Sequence, residues 1–145
     1  MRVYSVRAPE NIKKMALGAY IARAVPLLPA HALREAFARR DVKMDGARCG
    51  REALVRPGAE ISVYTPLNLA LPVVYEDENV LIADKPAGVS ADRDGFGSRT
   101  VLDFVRLYAE GAYEPRLCHR IDNQTSGLIA LAKNARAEEA RKAMF

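Results

Sequence analysis

Cys118-His119-Arg120-Ile121-Asp122-Asn123-Gln124-Thr125-Ser126-Gly127, continued by Leu128-Ile129-Ala130-Leu131-Ala132 and then Lys133-Asn134, is where charge concentrates beside an apolar run. Five consecutive apolar residues suit a strand covered on both faces and are too few for a helix. Thr125-Ser126-Gly127 has the composition of the turn that feeds it. Arg120 and Asp122 stand two apart, so in an extended loop both side chains leave the same side of the backbone. A guanidinium beside a carboxylate favours the ionised carboxylate, the state expected of Asp122. A lone ionised aspartate suits a nucleophile or a proton shuttle. Paired carboxylates for glycoside hydrolysis are missing from this loop, as is a metal-ligand cluster. An Arg120–Asp122 ion pair that simply pins the loop fits the same residues, so residue chemistry alone names no reaction.

His119-Arg120-Ile121-Asp122, Thr125-Ser126-Gly127, the apolar strand and Ala132-Lys133-Asn134 together resemble the signature loop of the RluA-type pseudouridine synthases, written HRLDxxTSGLLLxAK. The resemblance implies that Asp122 is the catalytic residue and that Arg120 helps displace the target nucleotide, with His119 beside them at the RNA. Ile121 replaces the usual leucine, and Asn123-Gln124 replaces a pair that is often charged. A second match opens the same half of the chain: Tyr75-Glu76-Asp77-Glu78-Asn79-Val80-Leu81-Ile82-Ala83-Asp84-Lys85-Pro86-Ala87-Gly88 resembles the start of that family's catalytic domain. Lys85 is expected either to line an RNA channel or to close a strand end. The implied reaction isomerises a uridine of ribosomal or transfer RNA, with no cofactor and no metal. The family's later tyrosine-bearing and basic motifs would fall beyond Phe145.

The net charge of +4 is unevenly spread. Residues 1–66 carry 12 Lys/Arg against 6 Asp/Glu, and residues 67–145 carry 10 against 12, so the first half is the basic one. Such a bias suits a phosphate-contacting surface, and equally a solvated face. Asn11 to Val25 is predicted helical and is stopped by Pro26; Ala30 to Arg40 is a second helix, with Leu33, Ala36 and Phe37 inward. Val42-Lys43-Met44 alternates into Asp45-Gly46, a hairpin turn pair, and Glu60 to Tyr64 alternates as a closing strand. This order, with Arg56-Pro57-Gly58-Ala59-Glu60-Ile61, resembles the S4-like RNA-binding domain found at the N-terminus of many RluA-type synthases. Arg34, Arg39, Arg40 and Lys43 are the expected RNA contacts on that half.

The predicted organisation is α+β throughout: an S4-like domain over 1–66, an extended linker over 67–72 between two prolines, and the N-terminal portion of a catalytic domain over 73–145. In the second half, Ser90 to Arg99 is polar and glycine-bearing, hence a loop. Thr100 to Asp103 fits a capping box before Val101, Phe104, Val105 and Tyr108, a core stripe at helical spacing, and Asn134 caps a last helix running towards Met144-Phe145. No apolar run approaches the ~20 residues of a membrane span, and Met1 to Arg7 is strand-like rather than a signal peptide. Cys49 and Cys118 form no redox or metal motif and are expected to be reduced, in a cytoplasmic, monomeric protein whose partner is RNA. A rival of another class is a non-catalytic S4-type RNA-binding protein with an inactive second half.

Overall fold

The computed structural model describes residues 1–143. It is α+β and divides into two compact units. The first comprises Met1–Leu69 with Arg93–Ser98, and the second Ala70–Asp92 with Arg99–Phe145. The expected linker thus straddles the division at Leu69/Ala70, and six residues of the expected Ser90–Arg99 loop belong to the first unit.

The first unit is built on an antiparallel sheet whose strands are β1 (Arg2–Arg7), β2 (Val42–Met44), β3 (Ala47–Arg48) and β4 (Glu60–Thr65), in the order β1-β4-β2-β3. Alternation sets its inner face. Tyr4 lies opposite Val63, which lies opposite Val42; Val6 lies opposite Ile61, which lies opposite Met44. All six are buried. The β2–β3 turn is Asp45-Gly46 with φ of +51° and +83°, the positive pair that a two-residue hairpin requires. Helices α1 (Leu17–Ala24) and α2 (Ala30–Ala38) complete this core with Leu17, Tyr20, Ile21, Leu33 and Ala36, all buried.

The first helix begins six residues later than Asn11. The Leu17 amide donates to the Ala53 carbonyl, the Val55 amide donates to the Met15 carbonyl, and Ala16 bridges Leu54. These long-range backbone bonds hold Met15 and Ala16 extended and delay the helix to Leu17, overriding a local helical pattern. The stretch after β4 is anchored by one hydroxyl: Tyr4 Oη donates to the Leu67 carbonyl at 3.0 Å and accepts from the Leu69 amide at 2.9 Å.

The second unit carries β5 (Val73–Glu76), β6 (Val80–Lys85), β7 (Arg116–Leu117) and β8 (Gly127–Ala132), antiparallel in the order β5-β6-β8-β7. Leu81 and Ala83 of β6 face Leu131 and Ile129 of β8, and all four are buried. Leu128 departs from the expected two-sided burial, being 57% exposed at the strand's start. Helix α3 (Val101–Ala109) opens on the expected capping box, the Asp103 amide bonding Thr100 Oγ1 and the Thr100 amide bonding Asp103 Oδ2. It buries Val101, Phe104 and Val105, whereas Tyr108 is half exposed. Tyr108 is drawn out of the core by its hydroxyl, which donates to Glu76 Oε1 at 2.6 Å. Asn134 caps α4 (Ala135–Lys142) by accepting from the Ala137 amide; the expected run to Met144-Phe145 lies outside the described residues.

Candidate active site

The loop from Cys118 to Ser126 leaves β7 and enters β8, and its ends are tied to the strand it feeds. The Cys118 amide donates to the Ala130 carbonyl at 3.0 Å, and the Ala130 amide donates to His119 Nε2 at 3.1 Å. An imidazole nitrogen accepting a backbone hydrogen bond carries its proton on the other nitrogen, so His119 is fixed as a loop anchor in that tautomer. The Thr125 amide closes a turn onto the Asp122 carbonyl at 3.0 Å. Asp122 is exposed on this turn.

A second loop, Pro86 to Asp92, lies alongside. Asn123 connects the two: its carbonyl accepts the Gly88 amide at 2.8 Å, and its Nδ2 donates to Ser90 Oγ at 2.8 Å. Beneath them is Lys85, with no solvent-accessible surface. Its Nζ donates to the carbonyls of Val89 at 2.6 Å, Pro86 at 3.0 Å and Asn123 at 3.0 Å. An ammonium has three donors and no acceptor, so these three carbonyls saturate it. Burial pulls the Lys85 pKa below that of an ordinary lysine, and the negative charge of Asp122 opposes that shift. The carbonyl of the residue that follows Asp122 is thereby held by two donors, the buried Lys85 ammonium and the Gly88 amide.

Lys85 closes a strand end and is fully buried in the unit. Strand alternation carried this information, because Lys85 shares a face with Leu81 and Ala83. Arg120 also differs from expectation. Its ion-pair partner is Asp92, at 3.8 Å across the two loops, and its side chain is 77% exposed. Among the described residues the salt bridges do not join Arg120 to Asp122. The chain turns only after this pair, at Asn123-Gln124, where the Thr125 amide closes onto the Asp122 carbonyl. Ser90, Asp92 and Asn123 had no sequence signal of their own, since their partners come from a loop some thirty residues away.

The expected contacts of the first unit are spread over α2 and β2. Arg34 and Arg40 are exposed, Arg40 at the positive φ of +62° that ends the helix. Arg39 is engaged by Asp41 at 3.0 Å and Glu35 at 3.8 Å. Lys43 Nζ lies 5.2 Å from the ring centre of Tyr64. Among the described residues no three His, Cys, Asp or Glu side chains form a group able to hold a metal, and no helix is long and apolar enough to cross a membrane.

Residues 79–145 match the family described as RNA pseudouridylate synthase. This part of the chain is similar to that family. The matched segment contains both loops of the site, from Lys85 to Asp92 and from Cys118 to Ser126. Among curated proteins, the chain is 38% identical over 88 residues to the ribosomal large subunit pseudouridine synthase D of Neisseria meningitidis serogroup B, covering 58% of this chain and 24% of that protein. It is 38% identical over 66 residues to the tRNA pseudouridine(31) synthase of Saccharomyces cerevisiae, covering 45% and 16%. With the ribosomal large subunit pseudouridine synthase C of Rickettsia bellii it is 27% identical over 142 residues, covering 81% and 46%. The chain therefore spans from a sixth to under half the length of these pseudouridine synthases.

Proposed function

We propose that this protein is an RNA pseudouridine synthase in which Asp122 is the catalytic carboxylate. The observation that carries the reading is the setting of Asp122 within the matched segment. It is solvent-accessible on a tight turn, while the next residue is fixed by the Lys85 ammonium and the Gly88 amide. An exposed carboxylate on a rigid support is what positioned chemistry on an extruded base requires. The reaction breaks the N-glycosidic bond of a uridine and rejoins the base through carbon, and the carboxylate serves both bond breaking and proton transfer. A base in structured RNA has to leave its stack at a cost of a few kcal/mol, and Arg120, planar, cationic and exposed, is suited to fill the gap.

We assign the first unit, S4-like in its order of elements, to RNA binding through Arg34, Arg40 and Lys43; Arg39 is partly neutralised by its two acidic neighbours. The substrates are ribosomal or transfer RNA, in the cytoplasm. The test uses RNA tritiated at C5 of uridine and the full-length protein. Wild type is expected to release tritium and Asp122→Asn to lose release at least about a thousandfold while binding RNA unchanged. Normal release by Asp122→Asn removes that residue from the chemistry. RNA binding without release by wild type favours the non-catalytic RNA-binding reading.

A further inference from the structure

The first unit carries a second cationic feature, away from α2, which the assignment above does not use. Lys13, Lys14 and Arg23 line a cavity of about 370 Å³ together with Ile12, Met15 and Phe96. All three cations are exposed, and among the described residues none of them forms a salt bridge with an acid. The Arg23 guanidinium carbon lies 4.0 Å from the centre of the Phe96 ring. The ring also packs against that of Tyr20, with centroids 4.8 Å apart and planes tilted by 36°.

This lining is built rather than incidental. Tyr20 is fully buried and its hydroxyl donates to the Phe96 carbonyl at 3.0 Å. The Phe96 amide donates to Asp94 Oδ1 at 2.9 Å. Gly97 adopts φ +84°, and a Cβ there would collide with the Arg7 carbonyl oxygen, so the loop returns against β1 where only glycine fits. Phe96 is thus fixed on both flanks and presents Arg23 as a flat cation backed by an aromatic ring.

We propose that this cavity is a binding site for one unpaired nucleotide of RNA. The base stacks on the guanidinium plane of Arg23, and Lys13 and Lys14 take the adjoining phosphates. The chemistry follows from the residues. A planar cation resting on an aromatic ring offers a stacking surface to any base. Two neighbouring lysines supply point charges to a backbone that carries one charge per nucleotide. An acidic peptide would satisfy the lysines and leave the stacked surface unused. The inference rests on the RNA reading of the protein and adds a site apart from Arg34, Arg40 and Lys43.

The test measures binding of the full chain to a fluorescein-labelled single-stranded ten-residue oligouridylate across a salt series. Lys13→Ala with Lys14→Ala is expected to lower the slope of log K against log salt by about 1.4, from about 0.7 for each phosphate contact on a single strand. Arg23→Lys, which keeps the charge and loses the plane, is expected to weaken binding at least about fivefold with the slope unchanged. Both substitutions are at exposed positions, and circular dichroism matching wild type verifies the fold. If the slope falls only when Arg34, Arg40 and Lys43 are replaced, the cavity proposal is overturned and the RNA reading stands. Absence of any oligouridylate or structured-RNA binding overturns both. Displacement of the oligonucleotide by poly-glutamate of equal charge as readily as by unlabelled oligouridylate overturns the nucleotide assignment.

Discussion

Replacing Lys85 by Met is the sharpest probe of how the two loops of the candidate site are held. Met matches the length of the aliphatic stem and removes only the ammonium. The carbonyls of Pro86 and Val89 then lose their Lys85 donor, while the Asn123 carbonyl keeps the Gly88 amide. A buried carbonyl left without a partner costs about 1–3 kcal/mol, so two cost about 2–6 kcal/mol. Against this stands the desolvation of an ammonium, several kcal/mol, which Met no longer incurs. The stem keeps its contacts with the buried face. The two terms largely offset, so the net expectation is a loss of at most about 2 kcal/mol, concentrated in the second unit.

The assay is hydrogen exchange read by peptide. Lys85→Met should accelerate exchange in peptides covering residues 86–92 and 119–126, and leave peptides covering β1 and β4 at the wild-type rate. Uridine isomerisation by the full-length protein should fall together with this protection, because the residue after Asp122 loses one of the two donors to its carbonyl. Wild-type exchange in both loops, with an unchanged urea midpoint, would refute the view that the buried ammonium organises them. A pH series adds a sign. Burial holds the folded Lys85 pKa below its unfolded value of 10.5, so between those two values the unfolded chain binds more protons. The Lys85 contribution to stability therefore rises with pH across that window, and Lys85→Met should lack this rise.

Thr100→Ala removes the N-cap of α3 and half of its capping box; we expect a loss of about 1 kcal/mol in urea denaturation, with Thr100→Ser nearly neutral. Glu76 accepts from Tyr108 and from Lys133 at 2.9 Å, and the Tyr108 hydrogen bond, then Lys133, holds its pKa below the ordinary glutamate value of 4.5. Its contribution is therefore fully present above that value and lost as pH falls through the folded pKa. Glu76→Gln should be less stable than wild type by about 1 kcal/mol at pH 7, with the two midpoints converging in acid; a constant gap down to pH 3 would contradict this.

Features encoded by neighbouring residues were legible in the chain. Asp45-Gly46 demanded its turn, Thr100 and Asp103 their box, and Asn134 its cap, because each satisfies backbone groups within three residues. The α+β class followed from the same local patterns. What escaped depends on partners distant in sequence. Met15 and Ala16 have usable helical spacing, but the backbone of residues 53–55 captures them first. Two-residue β7 has no pattern of its own and exists by pairing with β8. Tyr108 keeps helical spacing with Phe104, yet Glu76 pulls its hydroxyl outward. For the site, the resemblance drew attention to Asp122 and Arg120. The Asp92 partner of Arg120 and the Asn123–Ser90 bond arise from a loop whose placement only the fold supplies. The burial of Lys85 lay in the alternation of β6, but the usual exposure of lysine argues the other way.

The return of Arg93–Ser98 to the first unit bears on the order in which the chain can be made and folded. Domains synthesised first generally fold first. Here the Tyr20 hydroxyl, buried in the first unit, finds its acceptor at Phe96, seventy-six positions later. On the ribosome, a nascent chain ending at Leu69 already contains every strand and helix of that unit but lacks the segment that seals it. Its final locking must wait until β5, β6 and the Pro86–Asp92 loop have also emerged, so completion of the first unit is timed by synthesis of half the support beneath Asp122.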